Sequence, residues 1–240
     1  MSVLPGSPAL CQVLREDPEL AEGIPPERRS QAIQDCTARE IVVASAEDEA
    51  RMPEGGIGLL MLEGLLVRRV GIDERFGAEL LGEGDLLRPW QDGRDVEMLP
   101  LQTGWSVVEP AHMAVLDRDF VQHLCAYPEL VCTFVARAME RARHLSVNMA
   151  IVNQPRVEDR LHMLFWHLAG RWGRVRSDAT VLPVRLTHAV LAQLVAARRP
   201  TVSTALSELA RRGLVANKDD EWLLTGEAPV ELLDIDRASG

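Results

Sequence analysis

Several features that would place a protein in a membrane or outside the cell are missing from this chain of 240 residues. No apolar run approaches the ~18 to 20 residues that cross a bilayer. The longest, residues 57–67, is interrupted by Glu63 and Gly64. The N-terminus also lacks the basic stretch followed by an apolar core that is typical of a secretion signal. We therefore expect a cytoplasmic protein without a membrane partner.

Cysteine is scarce, and its spacing excludes the common metal motifs. The four cysteines, Cys11, Cys36, Cys125 and Cys132, include no Cys-x-x-Cys pair, and no histidine lies at finger spacing. Zinc and iron–sulfur sites therefore have little support, and scattered reduced thiols are the simpler interpretation. No Ser/His/Asp or paired-carboxylate constellation stands out either, so we expect no catalytic residues, no metal and no cofactor.

Lysine is nearly absent, because Lys218 is the only one in the chain. The formal net charge is −10, which by itself argues against nucleic acid as a partner. The charge is unevenly distributed, however. Residues 155–213 hold 10 basic and 4 acidic groups, whereas residues 1–154 hold 14 and 25 and residues 214–240 hold 2 and 7. The chain thus contains one basic block that is suited to phosphates.

Short apolar segments separated by glycine characterise residues 41–117. The segments cover residues 41–44, 58–62, 65–70, 76–80, 85–87, 105–108 and 112–116. Evenly spaced segments of strand length predict an all-β roll or barrel, and the lack of strand–helix alternation argues against a dinucleotide-binding fold. Before the roll, residues 10–14 and 26–36 are each predicted to form one short helix, because prolines break anything longer.

The hydrophobic period changes over residues 128–152, which contain no glycine and no internal proline. Apolar residues recur there at alternating spacings of four and three, which predicts a long helix with a coiled-coil seam. Two alanines on the seam favour a close helix–helix contact, and we interpret this helix as a dimer helix. A helix packed only on its own domain is the alternative. The predicted dimer interface is Val131, Val135, Ala138, Ala142, Leu145, Met149 and Val152.

The basic block has the element order of a winged helix-turn-helix. A helix over residues 157–172 is followed by a helix that Thr187 caps, a turn, a helix with Pro200 at its first position that stops at Gly213, and a hairpin of residues 214–216 and 221–224. The predicted inward faces are Leu191, Leu194 and Val195 on the first helix of the pair and Val202, Leu206 and Leu209 on the second.

The outer face and the N-terminal end of the second helix carry side chains that suit a major groove. Arginine pairs with guanine, small hydroxyls reach bases or phosphates, and helix N-termini favour phosphates. A solvated basic helix in a three-helix bundle is the alternative interpretation. The predicted DNA-binding residues are Arg198, Arg199, Thr201, Ser203, Thr204 and Ser207.

The stretch from Leu191 to Val215 resembles the winged helix-turn-helix of the CRP/FNR transcription regulators. It reads Leu-Ala-x-Leu-Val-x-x-x-Arg-x-Thr-Val-Ser-x-x-Leu-x-x-Leu-x-x-x-Gly-Leu-Val. The resemblance implies an α+β fold, with an N-terminal β-roll (a cyclic-nucleotide-binding-like jelly roll) in residues 1–126, a dimerisation helix in residues 127–153 and a C-terminal winged helix-turn-helix in residues 154–240. It also implies a homodimer that binds a palindromic site on double-stranded DNA and recruits or blocks RNA polymerase.

The resemblance assigns roles to particular residues of the second helix. Arg199 matches an arginine that reads guanine in many members, Thr201 matches a phosphate-contacting threonine, and Ser203 lies on the groove-facing side. The family's common glutamate falls at Pro200 and a second base-reading arginine falls at Thr204, so we expect a different half-site. The wing segment, residues 218–221, is acidic and would repel phosphates unless it points away from DNA.

The nucleotide site of cyclic-nucleotide-binding relatives is degenerate here. Their Gly-Glu-Leu element falls at residues 88–90 and their Arg-Ser element at residues 101–102, so the glycine, glutamate and arginine are missing. We expect no binding of cyclic AMP in the usual way, and an effector that is unknown or absent. Either Arg88 and Trp90 hold a planar anion, or Trp90 plugs a dead pocket. The candidate ligand-binding residues are Arg88, Trp90, Gln102, His144 and Ser146.

Other sensing chemistries of the family have less support in the sequence. Cys11 and Cys36 alone cannot supply the cysteine cluster of the oxygen-sensing branch, and we interpret His112 as a strand-surface residue rather than a haem ligand. An Arg-x-x-Asp pattern at residues 156–159 matches some cyclic di-nucleotide sites but arises easily by chance. The alternative function is a ligand- or partner-binding scaffold with weak DNA binding.

Overall fold

The computed structural model describes residues 9–45, 56–72, 75–88 and 102–229 of the chain. The chain divides into two compact units, residues 1–73 with 80–144 and residues 74–79 with 145–240. The boundary between the units falls within one long helix, between His144 and Leu145. The three-part division that the sequence suggests, with limits at residues 126 and 153, stays a prediction.

An antiparallel β-roll forms the first unit, as the glycine-punctuated pattern predicts. Its sheet has six strands in the order β1-β2-β6-β3-β4, with β5 paired to β3. The strands are β1 (Leu10–Gln12), β2 (Thr37–Val43), β3 (Gly58–Ile72), β4 (Arg75–Leu81), β5 (Leu86–Leu87) and β6 (Gln102–Leu116).

Two predicted pairs of short strands are in fact single strands of 15 residues, β3 and β6. Gly64, which we expected to separate two strands, instead lies at an irregularity in the β3–β6 register. Its φ is +91°, and a Cβ there would collide with the carbonyl of Pro110 on β6. Both residues are thus accommodated at a bulge, where glycine and proline disrupt the ladder least.

Both faces of the roll's central strands are buried, because successive side chains point to opposite sides of a strand. On β3, Leu59 and Met61 belong to one apolar cluster and Leu60 to another. On β6, Val115 belongs to the first cluster and Leu116 to the second. The first cluster fills the interior of the roll, and the second receives the apolar faces of the helices that cover it.

Short helices cover the second cluster of the first unit. They are α1 (Val13–Glu16), a 3-10 helix (Pro18–Ala21), α2 (Pro26–Asp35) and α3 (Arg118–Leu124). The helix predicted over residues 10–14 is wrong in its first half, since residues 10–12 pair with β2. The sequence did not predict α3, although Asp117 caps it by accepting a hydrogen bond from the Phe120 N–H.

The long helix α4 (Pro128–Val152) has the predicted bounds. Leu130 and Phe134 on one side are 0% and 3% exposed and belong to the second cluster of the first unit. The predicted seam lies on another side, where Val131, Val135 and Met149 are 39%, 54% and 68% exposed. In this single chain the helix therefore has one apolar face that is packed and one that is not.

The second unit has the predicted order of a winged helix-turn-helix. Its elements are α5 (Val157–Trp172), β7 (Arg174–Val175), β8 (Thr180–Leu182), α6 (His188–Leu194), α7 (Arg199–Arg211), β9 (Val215–Lys218) and β10 (Glu221–Leu224). The sequence did not predict β7 and β8, which extend the hairpin to a sheet of order β7-β8-β10-β9. The six predicted inward residues of α6 and α7 are all buried. The predicted cap of α6 is confirmed, since the Thr187 hydroxyl accepts from the Val190 N–H.

Helices α6 and α7 end in the same hydrogen-bond pattern but with different residues. After α7, the N–H groups of Gly213 and Leu214 donate to the carbonyls of Ala210 and Leu209, and Gly213 has a φ of +69°. After α6, the N–H groups of residues 196 and 197 donate in the same way to residues 193 and 192. Here Ala196 occupies the glycine position with a φ of +49°. This left-handed conformation costs an alanine roughly 1–2 kcal/mol.

Replacing Ala196 with glycine should therefore stabilise the protein. The expected gain is about 1 kcal/mol in the free energy of unfolding, since relief of the left-handed strain exceeds the extra chain entropy of glycine. Denaturant unfolding of both proteins measures the difference. The matched control is Gly213→Ala at the equivalent position after α7, which should lose a similar amount. A lower stability for Ala196→Gly would contradict the strain argument.

Tyr127 links the start of α4 to helix α2. Its hydroxyl donates to Asp35 Oδ2 at 2.6 Å, and this bond is the main reason that the pKa of Asp35 lies below its usual value. The same bond is the main cause that raises the pKa of Tyr127 to about 12. Arg28 reaches the same junction, where it donates to Glu129 Oε1 at 3.1 Å and to the carbonyl of Ala126.

The contribution of the Tyr127–Asp35 bond to stability should depend on pH. A lowered carboxyl pKa stabilises the fold above the unfolded value near 3.8, and this contribution is lost as the pH falls through the folded pKa. A raised tyrosine pKa stabilises below about pH 10 and is lost as the pH rises through about 12. The stability lost in Tyr127→Phe should thus be largest at neutral pH and should shrink below the usual aspartate pKa. Denaturant midpoints of the wild type and of Tyr127→Phe at several pH values measure this loss of stability. The control is the double variant Asp35→Asn plus Tyr127→Phe, which lacks both partners of the bond. A loss independent of pH would be inconsistent with this bond.

Candidate nucleic-acid interface

Helix α7 presents a polar face whose residues the sequence analysis proposed for DNA contact. Five of them, Arg198, Arg199, Thr201, Thr204 and Ser207, are exposed, and Ser203 is half-buried. The opposite face carries the buried Val202, Leu206 and Leu209, which hold the helix on its unit. All six predicted residues therefore lie on or beside one accessible surface, which we call the α7 face. It comprises Arg198, Arg199, Thr201, Ser203, Thr204 and Ser207.

The first two turns of α7 carry only positive charge. Arg198 occupies the N-cap position and Arg199 the first helical position. The sole carboxylate of the helix, Glu208, lies in the second half, where both of its oxygens accept from Arg211 at 2.6 and 2.8 Å. The Arg211 guanidinium lowers the pKa of Glu208, so this carboxylate is ionised and paired. The N-terminal end of α7 therefore favours an anion through its arginines and its helix dipole.

Three hydroxyls of the α7 face are already bonded to the helix backbone. Ser203 Oγ donates to the carbonyl of Arg199 at 3.2 Å, Thr204 Oγ1 to Pro200 at 3.2 Å, and Ser207 Oγ to Ser203 at 3.0 Å. Such bonds use the hydroxyl hydrogen and leave the oxygen lone pairs outward. In this arrangement the three side chains are prepared to accept hydrogen bonds, as from a base amino group, rather than to donate to a phosphate.

A histidine that sequence reasoning missed adjoins this face. His188, the first residue of α6, is exposed, and its Nδ1 lies 2.9 Å from Ser203 Oγ. The contact spans fifteen residues and depends on how α6 packs against α7. The sequence signal for His188 was only its place after the predicted cap Thr187. Its contact with Ser203 on α7 became visible only in the structure.

Arg160 on α5 was also missed as a positioning residue. Its Nε donates to the carbonyl of Gln154 at 2.6 Å and its Nη1 to the carbonyl of Val195 at 3.2 Å. These carbonyls belong to the segment after α4 and to the C-terminal end of α6. One guanidinium thus ties the turn of the helix-turn-helix to the chain that enters the unit. No local pattern identifies an arginine that binds carbonyls so far apart.

The acidic wing should repel phosphates less than its sequence indicates, because arginines lie beside two of its carboxylates. Asp219 and Asp220 form the two-residue turn between β9 and β10, with φ values of +53° and +65°. Asp220 lies 3.4 Å from an Arg185 nitrogen, and Glu221 lies 3.7 Å from an Arg176 nitrogen. Two of the three wing carboxylates therefore have arginine partners, although these pairs are solvent-exposed and weak.

The candidate ligand-binding residues of the roll are only partly described. Arg88 is exposed directly after β5, which pairs with the first residues of β3. Gln102 is exposed and pairs with Gly71 at the other end of β3, so strand pairing does not bring these two residues together. His144 Nε2 lies 3.0 Å from Glu140 on α4, and Ser146 is exposed. Trp90 lies outside the described residues, so the ligand site stays a prediction.

His112 lies on the strand surface, as the sequence analysis interpreted it. It is half-buried on β6, and its Nδ1 contacts a carboxylate oxygen of Glu40 on β2. Within the described ranges, no group of three histidine, cysteine or acidic side chains is placed to hold a metal ion. Among those same residues, no helix combines the length and the apolar character that a membrane span requires.

Comparison with known proteins identifies the second unit. Residues 159–228 match the Crp-like helix-turn-helix domain. No curated protein matches the chain in a sequence comparison. The comparison with known proteins therefore rests on this domain and on solved structures that share the fold.

The fold is shared with solved structures over most of the chain. A cyclic nucleotide-binding domain-containing protein from Listeria monocytogenes is similar with a TM-score of 0.62 and 15% identity, over 86% of this chain and 96% of that one. A CooA variant from Carboxydothermus hydrogenoformans has a TM-score of 0.59 and 16% identity, over 85% and 88%. FixK2 from Bradyrhizobium japonicum has a TM-score of 0.58 and 13% identity, over 85% and 99%. At such identities the likeness establishes the fold alone.

The fold and the matched domain together define a class. The chain combines a roll and a long helix, in the fold of the cyclic nucleotide-binding domain-containing protein, with a Crp-like helix-turn-helix domain. Through this domain and this fold, the chain resembles the CRP/FNR transcription regulators.

Proposed function

We propose that this protein is a DNA-binding transcription regulator of the CRP/FNR type. It is a homodimer that pairs through α4, reads a palindromic DNA site with α7 and works without the family's usual cyclic AMP contacts. The α7 face carries the DNA part of this proposal. Two exposed arginines at the positive end of a helix, together with outward hydroxyl oxygens, suit the edges of bases in a major groove. Its cytoplasmic location and a contact with RNA polymerase stay predictions of the sequence.

The exposed seam of α4 supports the homodimer. Val135 and Met149 are more than half exposed in the single chain, and the small Ala138 and Ala142 lie between them along the seam. An exposed apolar stripe with an unbroken heptad spacing is typical of a helix that pairs with a copy of itself. To read a palindrome, the two α7 helices of such a pair must lie one DNA turn, ~34 Å, apart.

The placement of Arg88 and Gln102 supports the view that the nucleotide site is degenerate. A cyclic nucleotide needs a guanidinium, hydroxyls and backbone donors that converge on one phosphate. Here Arg88 is exposed after β5, and Gln102 pairs with the far end of β3. A calorimetric titration with cyclic AMP should give no heat of binding in the micromolar range, whereas micromolar binding would contradict this part of the proposal.

The DNA proposal is tested by selection from a random duplex pool, followed by affinity measurements on the enriched site. We expect a palindrome, and we expect Arg199→Ala to cost roughly 1–3 kcal/mol and to relax the preference at one base pair of each half-site. The matched control is Arg174→Ala, an exposed arginine on β7. An unchanged site preference in Arg199→Ala would remove the assignment of this arginine.

The same binding assay separates the regulator from the alternative, a scaffold with weak DNA affinity. A regulator that neutralises several phosphates releases their counterions, so its affinity for the selected site should fall steeply as salt increases. A shallow salt dependence with no enriched sequence would favour the scaffold.

The homodimer is tested by substituting glutamate for both Ala142 and Leu145 on the seam. The carboxylates would face their copies across the pair, so the mass in light scattering should fall from twice 26.6 kDa to 26.6 kDa. The control places glutamate at Ala136 and Ala150, which are exposed on the same helix but outside the seam. A dimer that persists in the seam variant would rule out pairing through α4.

A further inference from the structure

His188 extends the α7 face onto the neighbouring helix. Arg199, Ser203 and Ser207 follow one another at four-residue intervals and form a stripe along α7. His188 is exposed beside the middle of this stripe, with Nδ1 2.9 Å from Ser203 Oγ. A duplex that lies against Ser203 would therefore also lie against the imidazole ring.

The hydrogen bonds around Ser203 determine which atom of the ring is free to bind. The Ser203 hydroxyl is also within hydrogen-bond distance of the carbonyl of Arg199. When the imidazole is charged, both ring nitrogens carry protons, so Nδ1 donates to Ser203 Oγ. This bond orients the ring and leaves Nε2, on the opposite side, to carry a second proton when the imidazole is charged.

The charges of the adjoining elements favour an anion near this ring. The rest of α6 has no charged side chain, and α7 begins with Arg198 and Arg199. The one carboxylate of α7, Glu208, is paired with Arg211, and Asp220 of the wing lies 3.4 Å from an Arg185 nitrogen. Ser203, which the ring contacts, lies about one helical turn from Arg199 at the positively charged end of the α7 face.

We propose that His188 is a further DNA-contacting residue, whose protonated imidazole donates from Nε2 to a backbone phosphate. Because histidine changes charge between pH 5 and 8, this contact couples DNA binding to the uptake of a proton. The inference rests on the proposed function, since it requires a duplex against the α7 face. It adds a proton-dependent contact that α7 alone does not supply.

The test measures how the affinity of the full-length protein for its selected duplex depends on salt, at about pH 6 and about pH 8. Each additional phosphate contact steepens the slope of log affinity against log salt by about 0.9. The wild-type slope should therefore be steeper at the lower pH. Its affinity should also rise on acidification by up to about fivefold for each protomer that makes the contact.

Two variants at position 188 and one control variant test whether His188 causes the pH dependence. His188→Gln should have the same slope at both pH values, and His188→Arg should be steep at both. His123→Gln, on the exposed side of α3, should keep the wild-type pH dependence, which shows that general protonation is not the cause. A pH dependence that survives in His188→Gln, or equal wild-type slopes, would overturn the inference while leaving DNA binding intact. No duplex binding at either pH would overturn the proposed function as well.

Discussion

Much of this structure depends on helix α4 carrying two apolar faces at once. One face supplies Leu130 and Phe134 to the core of the roll, and another presents Val131, Val135 and Met149 outward. A helix that served only its own unit would need one apolar stripe. The alanines and the heptad spacing belong to the second stripe. Burial within one chain does not require them. The proposed self-association and the stability of the roll would thus both depend on the same 25 residues.

In the helix-turn-helix, hydrophobic packing holds the buried face of α7, and hydrogen bonds to the helix backbone hold side chains on its exposed face. The hydroxyls of Ser203, Thr204 and Ser207 each donate to a backbone carbonyl of α7, which favours one orientation of each side chain. Arg160 performs a similar task on the inner side by bonding the last carbonyl of the α6 turn. For the proposed DNA contact, these side chains therefore need little further ordering.

Helices α4 to α7 were predicted well from the sequence because their signals are local, whereas α3 was missed. The period of α4, the cap at Thr187 and the stop at Gly213 each depend on a few neighbouring residues. The strands were harder, because the joining of β3 across Gly64 depends on Pro110 of a distant strand. The candidate site likewise has one feature that depends on local sequence and one that depends on residues distant in sequence. Exposure of Arg199 follows from helix periodicity, whereas the pairing of His188 with Ser203 depends on the packing of two helices.

The three-residue strand β1 has a consequence for the behaviour of the whole sheet. It pairs with only the first part of β2, from Thr37 to Arg39, and leaves the later residues of that strand at the sheet's margin. Val42 is half-exposed there, and Leu10 on β1 is 74% exposed. A longer flat margin of this kind would offer a row of backbone groups to a foreign strand. Among the described residues, the brevity of β1 and β2 limits that row to a few groups, and short edge strands are one way in which proteins reduce edge-to-edge aggregation.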